Sequence, residues 1–375
     1  MKVLHRYVAS EIVSSVLFVL LAFLALFAFF DLMGELPHVG RGGYRLQHAF
    51  MYVAMGLPND VYQLMPIAVL IGTIYTLAQL AARSEFTIMR ASGLSTGMAG
   101  WILAKVGIVF VLATFLFGEF VAPASSAMAE KLKLRVQGST VSSAFRTGYW
   151  TKDVIREHGL TGPTTGSRFL NVREVKLNGQ LQGVRLYDLD LDFHLVGVVS
   201  ADHADYQGHN VWRLSDVTET TFPAGSLDLS TQVTSRHLAS MDLVSEITPD
   251  ILSVLFTDPD TMSAVDLAAY TRHLAENNQN TERYEIAFWK KLIYPFAVMV
   301  MLALALPFAY LNFRSGGISL KIFIGIMIGV SFQLVNSLFS HLGLLNTWPA
   351  PATAALPSAT FLLIAIGALW WVQRH

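Results

Sequence analysis

Three groups of polar residues in this chain have types and spacings suited to chemistry. The run "DLDLDFHL" places Asp188, Asp190 and Asp192 at alternate positions, where carboxylates could converge on a hard cation. A calcium loop starting at Asp188 needs glycine at its sixth position and a bidentate glutamate at its twelfth. Phe193 and Val199 stand there instead. The alternation predicts a strand with Leu189, Leu191, Phe193 and Leu195 on one face. "ADHADYQGH" offers Asp202, His203, Asp205 and His209 as donors, but a wet strand and its turn need the same residues. No metal is expected.

The second group is cationic. Lys131, Lys133 and Arg135 follow one apolar run, Arg283 and Lys290-Lys291 precede another, and Arg41 and Arg45 lie between two more. Such residues either snorkel as interfacial anchors or form a ring that holds a phosphorylated lipid headgroup. The third group is "QLAARSEFTIMRASGLST", residues 79–96. With Ser84 as cap, Glu85 falls in the first turn of a short helix, Arg90 near its end, and Gly93 stops it at about residue 93. Glu85, Ile88, Met89 and Ser92 then form one stripe. Two apolar side chains and a carboxylate could plug into a groove on a soluble partner; a helix lying on headgroups shows the same periodicity.

Other chemistry is excluded by what is missing. Cysteine is absent, which removes disulfides, thiol catalysis and cysteine-ligated zinc. HExxH, GxSxG and GxxxxGK[ST] patterns do not occur, so neither a protease nor a nucleotide site is expected, and any ATP and magnesium must sit on another chain. A net charge of −1 without a basic tail gives no sign of nucleic acid.

The elements that position these groups are mostly membrane spans. The 375 residues are 53% hydrophobic and 14% charged, against about 25% charged in soluble domains. Five stretches lack any acidic or basic residue: Ile12 to Phe30, Val61 to Ala82, Leu292 to Phe313, Ile322 to Leu342 and Ala352 to Val372. A sixth, Leu94 to Phe117, holds only Lys105. Each approaches the ~20 residues that a helix needs to cross a bilayer. Between the third and fourth lies a polar block, 123–280, with strand-like alternation and turn signals at Asn178-Gly179 and Gly208-His209-Asn210. "MSAVDLAAYTRHLAENNQ" then has helical spacing. The expected fold is membrane α-helical: residues 1–122 carry three spans, 123–280 an antiparallel β jelly roll and a connecting helix, and 281–375 three more spans. Lysine and arginine are balanced between the two sides, so charge leaves the topology open.

"RSEFTIMRASG" resembles the RSELxxMxASG segment of the lipopolysaccharide-export permeases, the LptF/LptG family. The resemblance extends over the chain through "LPNDV", "GEFVAP", "VWRLSDV", "RYEIAFWKKLIYP" and "LPSATFLL", and is nearer the LptG than the LptF members. It implies a permease half of an ABC transporter in the bacterial inner membrane, with a periplasmic β domain. Its implied partners are an LptF-like sibling, an LptB-like ATPase dimer, LptC-like and LptA-like bridge proteins, and lipopolysaccharide. Glu85, Phe86, Ile88, Met89 and Arg90 would lie on the ATPase-coupling helix. Arg41, Arg45, Lys131, Lys133, Arg135, Arg283, Lys290 and Lys291 are the candidates for headgroup phosphate. Phe27, Phe30, Leu64, Ile67 and Phe332, bulky residues on spans one, two and five, are those for acyl chains. The chain departs from the family where lysines are common: "DLMGELPHVG" has none, and Asn59 replaces the lysine of "PKDV". A secondary transporter would need mid-depth charges and internal repeats, and neither is evident. A force-transmitting membrane protein that carries no lipid is the other alternative.

Overall fold

The computed structural model describes the chain except residues 1, 41–42, 138–147, 160, 177–178, 223–232, 250–251, 253–257, 277–278, 311–317, 347 and 375. Six helical segments are long and apolar enough to cross a membrane. The first two are α1 (Lys2–Glu35) and α2 (Leu46–Ala82). Their close approach depends on Gly72, where a Cβ would lie 2.7 Å from the Cα and N of Val16. Thr76 Oγ1 adds a hydrogen bond to Ser15 Oγ at 2.8 Å, the polar contact expected between apolar spans.

A short helix α3 (Glu85–Ala91) links α2 to α4 (Thr96–Leu116), whose first turn is capped by Ser95 Oγ accepting from Met98 N–H at 3.2 Å. The third span does not stop at the membrane edge. A π-helical turn, Phe117–Val121, carries it into α5 (Ala122–Gln137). The Lys131–Arg135 cluster therefore rides on a helical extension of the span.

After the sheet come α6 (Ala264–Glu276) and the fourth span, built from α7 (Glu282–Ile293), α8 (Ala297–Ala305) and α9 (Pro307–Tyr310). It is broken at Tyr294–Phe296 and again before Pro307, because proline supplies no N–H to the helical ladder. The end of the apolar stretch expected for this span, 311–313, lies outside the described residues. Helices α10 (Ile318–Asn346) and α11 (Ala350–Arg374) complete the bundle.

The inserted block holds one six-stranded antiparallel sheet in sequential order: β1 (Tyr149–His158), β2 (Thr161–Val175), β3 (Leu181–Leu189), β4 (Leu195–Gly208), β5 (Val211–Thr221) and β6 (Thr234–Val244). Each strand pairs with its neighbours in sequence, and the sheet rolls over a core that includes Leu181, Leu186, Leu214 and Trp212. The segment leaving β6 closes the roll. Trp212 Nε1 donates to Ile247 O at 2.7 Å, and Ser245 Oγ donates to the buried Asp153 carboxylate, whose pKa burial pushes up.

Both expected turns are present: Gly179 and the Gly208-His209-Asn210 group have positive φ between strands, with Asn178 outside the described residues. "DLDLDFHL" is a correction. Its middle, residues 190–194, is the β3–β4 turn and not a strand face, with Asp188 and Leu189 ending β3 and Leu195 opening β4, and Leu191 and Phe193 are exposed. Asp190 Oδ1 accepts the N–H groups of Asp192 and His194 at 2.9 and 2.8 Å, and this local bonding outcompetes the ladder. These N–H groups, that of His194 first, hold the Asp190 carboxyl below its usual range. The ligand atoms of Asp190, Asp192 and His194 gather there within 4.8 Å of one another, Asp190 half-buried and the other two exposed.

The glycine contact gives a direct test. Gly72→Val should lower stability by about 1–3 kcal/mol, since the atoms it meets are backbone and cannot yield. Gly367→Ala, which meets nothing within 4 Å, should be neutral. The apparent Tm of the two variants in detergent decides it.

Candidate functional site

The link after α2 forms a helix, but not by the expected cap. Ser84 adopts a left-handed conformation (φ +59°) and its side chain makes no cap; its carbonyl accepts Ile88 N–H at 3.0 Å. Gly93 does terminate the helix. At φ +97° it permits Leu94 N–H to reach Met89 O and its own N–H to reach Arg90 O, both at 3.0 Å, a Schellman closure.

Helix α3 is fixed to the bundle through four of the five residues expected to dock on a partner. Phe86 is buried and meets the Tyr310 ring edge-on, with centroids 5.2 Å apart. Arg90 lies 5.1 Å from the same ring. Glu85 accepts a 3.0 Å hydrogen bond from Tyr7 on α1. Met89 turns partly inward beside Val8, Leu77 and Leu306. Ile88 points out, 63% exposed, among the exposed Thr87, Arg90 and Ala91. The predicted stripe is thus split: Ile88 is on the outer face, and Met89 belongs to the join.

The basic residues differ in their surroundings. Lys133 binds Glu35 at 2.8 Å, and Tyr44 donates to the other oxygen of that carboxylate at 3.1 Å. Arg283 and Lys290 face Asp258 and Asp260 at 3.7 and 3.0 Å. Lys291 is buried. Arg45, Lys131 and Arg135 are exposed and make no ion pair among the described residues. Arg41 lies outside them.

The acyl-chain candidates separate as well. Phe27 and Phe30 are exposed on α1, with Leu17, Phe18 and Leu21 on the same helix. Leu64 and Phe332 are in the core of this chain, Phe332 fully buried against Phe361 at 5.2 Å, and Ile67 is half-buried under Gly329. Leu64 and Phe332 thus face the interior of this chain and Ile67 lies between interior and surface; bulk and polarity do not reveal which face of a span is internal.

Sequence reasoning missed Glu119. From the π turn, its carboxylate accepts the N–H groups of Ala264 at 2.8 Å and Val265 at 3.4 Å, capping α6 from 145 residues away. A negative charge at a helix N-terminus is favourable, more so when buried. The available signal was one carboxylate at the end of an apolar run, in "GEFVAP". The Glu35–Lys133 pair and Tyr7 were equally invisible, since each needs a partner from another span.

The chain thus holds a short helix, α3, fixed to α1, α2 and the fourth span, and a sheet inserted in a three-plus-three bundle. The family described as "Lipopolysaccharide export system permease LptF/LptG" matches residues 6–373. The chain belongs to this family. It is similar to the lipopolysaccharide export system permease protein LptG of Escherichia coli K12, 32% identical over 99% of this chain and 98% of that protein. The LptG of Haemophilus influenzae Rd is 27% identical over 98% and 97% respectively. The chain is accordingly a multi-pass membrane protein and a permease subunit of a transport system, not an enzyme.

Glu119→Gln should weaken the hold of α4 on α6. Replacing a carboxylate that accepts two buried N–H groups costs about 1–3 kcal/mol. Limited proteolysis should cut the 258–282 region faster in this variant, while Glu276→Gln, near the other end of α6, leaves the pattern unchanged.

Proposed function

We propose that this subunit extracts lipopolysaccharide from the bacterial inner membrane and passes it through its β domain to periplasmic bridge proteins of the LptC and LptA kind. The driving force is ATP, with magnesium, hydrolysed on an LptB-like dimer that docks on α3; an LptF-like sibling completes the lipid path. The observation that carries this reading is the two-sided construction of α3. Its inner face is bonded to α1, to the end of α2 and to Tyr310 of the fourth span, while its outer face presents Ile88 to solvent. A push on the outer face reaches three spans at once. A helix resting on headgroups would need no such bracing.

In this arrangement residues 83–96 and both termini are cytoplasmic, and the sheet is periplasmic. Arg45, Lys131 and Arg135, exposed and unpaired among the described residues, are the cations left for phosphates of the lipid. Phe27 and Phe30 lie on the least buried span: 17% of the central window of α1 is buried, against 83% for α2. That face is available to the sibling and to acyl chains.

Two experiments test this. The cysteine-free chain allows single-thiol labelling. Asp202→Cys should react with an impermeant reagent once the outer membrane is opened, and Thr87→Cys only after the inner membrane is also breached. The reverse order sinks the topology.

The second test concerns the docking face. Ile88→Glu should cut ATPase co-purification about tenfold or more, the equivalent of the ~1.5–3 kcal/mol of a buried aliphatic side chain, at normal abundance. Glu85→Lys should also lose export, with some loss of stability because its Tyr7 bond goes. Phe86→Ala should instead lower abundance, at a cost of about 3–5 kcal/mol. Export that persists with a catalytically dead ATPase would favour a secondary transporter. ATPase binding without lipid crosslinking would favour a force-transmitting protein.

A further inference from the structure

A polar chamber of about 200 Å³ lies inside the bundle, apart from both faces discussed above. Tyr62 and Gln63 of α2, Lys290, Lys291 and Tyr294 at the end of α7, and Gln333, Asn336 and Ser337 of α10 line its walls. The turn at Pro259–Thr261 contributes Asp260. The exposed Ser337, His341 and Asp260 form its rim.

Lys291 sits in this wall at 5% exposure, and its Nζ has no hydrogen-bond partner. Its Nζ lies 4.9 Å from the centre of the Tyr62 ring, whose face attracts a cation but cannot accept its three protons as an anion would. The two carboxylates whose fields reach it are engaged elsewhere: Asp260 with Lys290 at 3.0 Å, and Glu119 with the N–H groups of Ala264 and Val265. Snorkelling does not account for the burial, because the ammonium has been taken out of solvent. An uncompensated buried charge costs several kcal/mol.

The other walls fit the same need. Gln333 and Asn336 bring amides, and Tyr62 and Ser337 bring hydroxyls, so donors approach from α2, α7 and α10, while Ser340 Oγ is engaged with Asn336 O. Tyr294 OH, donating to Gln63 O at 2.6 Å, ties α7 to α2 and fixes two of the walls. Donors on three sides around one unneutralised cation suit a tetrahedral anion with several acceptor oxygens better than a planar carboxylate.

We propose that this chamber is a binding site for a phosphate group, held through Lys291. The site differs from the rim cations Arg45, Lys131 and Arg135, and it does not depend on which lipid is exported. Free phosphate and the phosphate of a lipid headgroup share the chemistry, and the test separates them.

The full chain, purified in detergent with the partners it carries, is unfolded thermally in inorganic phosphate and in chloride of equal ionic strength. In parallel, a benzoylphenylalanine placed at Ser337 is photo-crosslinked in cells, with one at the exposed Leu363 of α11 as reference. If the source is free phosphate, phosphate raises the apparent Tm of the wild type, and Lys291→Met abolishes the rise. If the source is a lipid, the Ser337 adduct carries lipid phosphate and falls at least tenfold in Lys291→Met, with the Leu363 adduct unchanged. Lys291→Arg keeps either response in part. Should Lys291→Met not accumulate, Gln333→Leu, which keeps the cation and removes the amide, should reduce the same signal. An equal phosphate response with and without Lys291, or no response and no phosphate-bearing adduct, overturns the proposal and leaves a chamber that holds only water.

Discussion

Gly72 has no side chain, so the backbone of Val16 can come within contact of α2, and with that approach α2 becomes enclosed by α1, α4, α8 and α10. The rest of the bundle depends on this enclosure. Between two apolar helices in lipid there is no hydrophobic gain, so close packing and a few hydrogen bonds must hold them together. Small residues supply the packing, and Thr76 with Ser15 supplies one of the bonds. With α2 fixed, both of its ends become anchors. One carries α3; near the other, Tyr52 lies against Lys133, close to the end of α5 and paired with Glu35.

The polar groups at the two ends follow one rule, that each charge leaving water must meet a partner. Glu85 meets Tyr7, Glu35 meets Lys133 and Tyr44, and Glu119 meets the N-terminus of α6. Each joins elements far apart in sequence, and together they form a chain of connections from α3, through the spans, to the helix that follows the sheet. Within it, α4, the π turn and α5 run as one continuous helix. Lys291 breaks the rule, and that exception is why its chamber draws attention.

Much of the architecture was legible without coordinates. Five charge-free runs and one holding only Lys105 marked the six spans, because helices of that length and composition leave water. Glycine in the Asn178-Gly179 and Gly208-His209-Asn210 turns, and in the stop at Gly93, was readable because positive φ there is a local steric matter. Ser84 and "DLDLDFHL" misled for a related reason. Ser84 serves the helix through its backbone and not its hydroxyl, and Asp190 bonds its own turn in preference to extending a strand.

What the sequence determined by itself was therefore whatever depends on a residue and its near neighbours: span length, turn position, the existence of α3, and through its motifs the family. Tertiary structure decided which face of each element is occupied. Period and polarity put Ile88 and Met89 on one stripe, and packing against Val8 and Leu306 turned only Met89 inward. Composition made Lys133, Lys290 and Lys291 alike. Glu35, Asp260 and the closed wall around Tyr62 made them different, because the energy of a charge is set by its partner and its distance from water, and neither is written in the spacing of the chain.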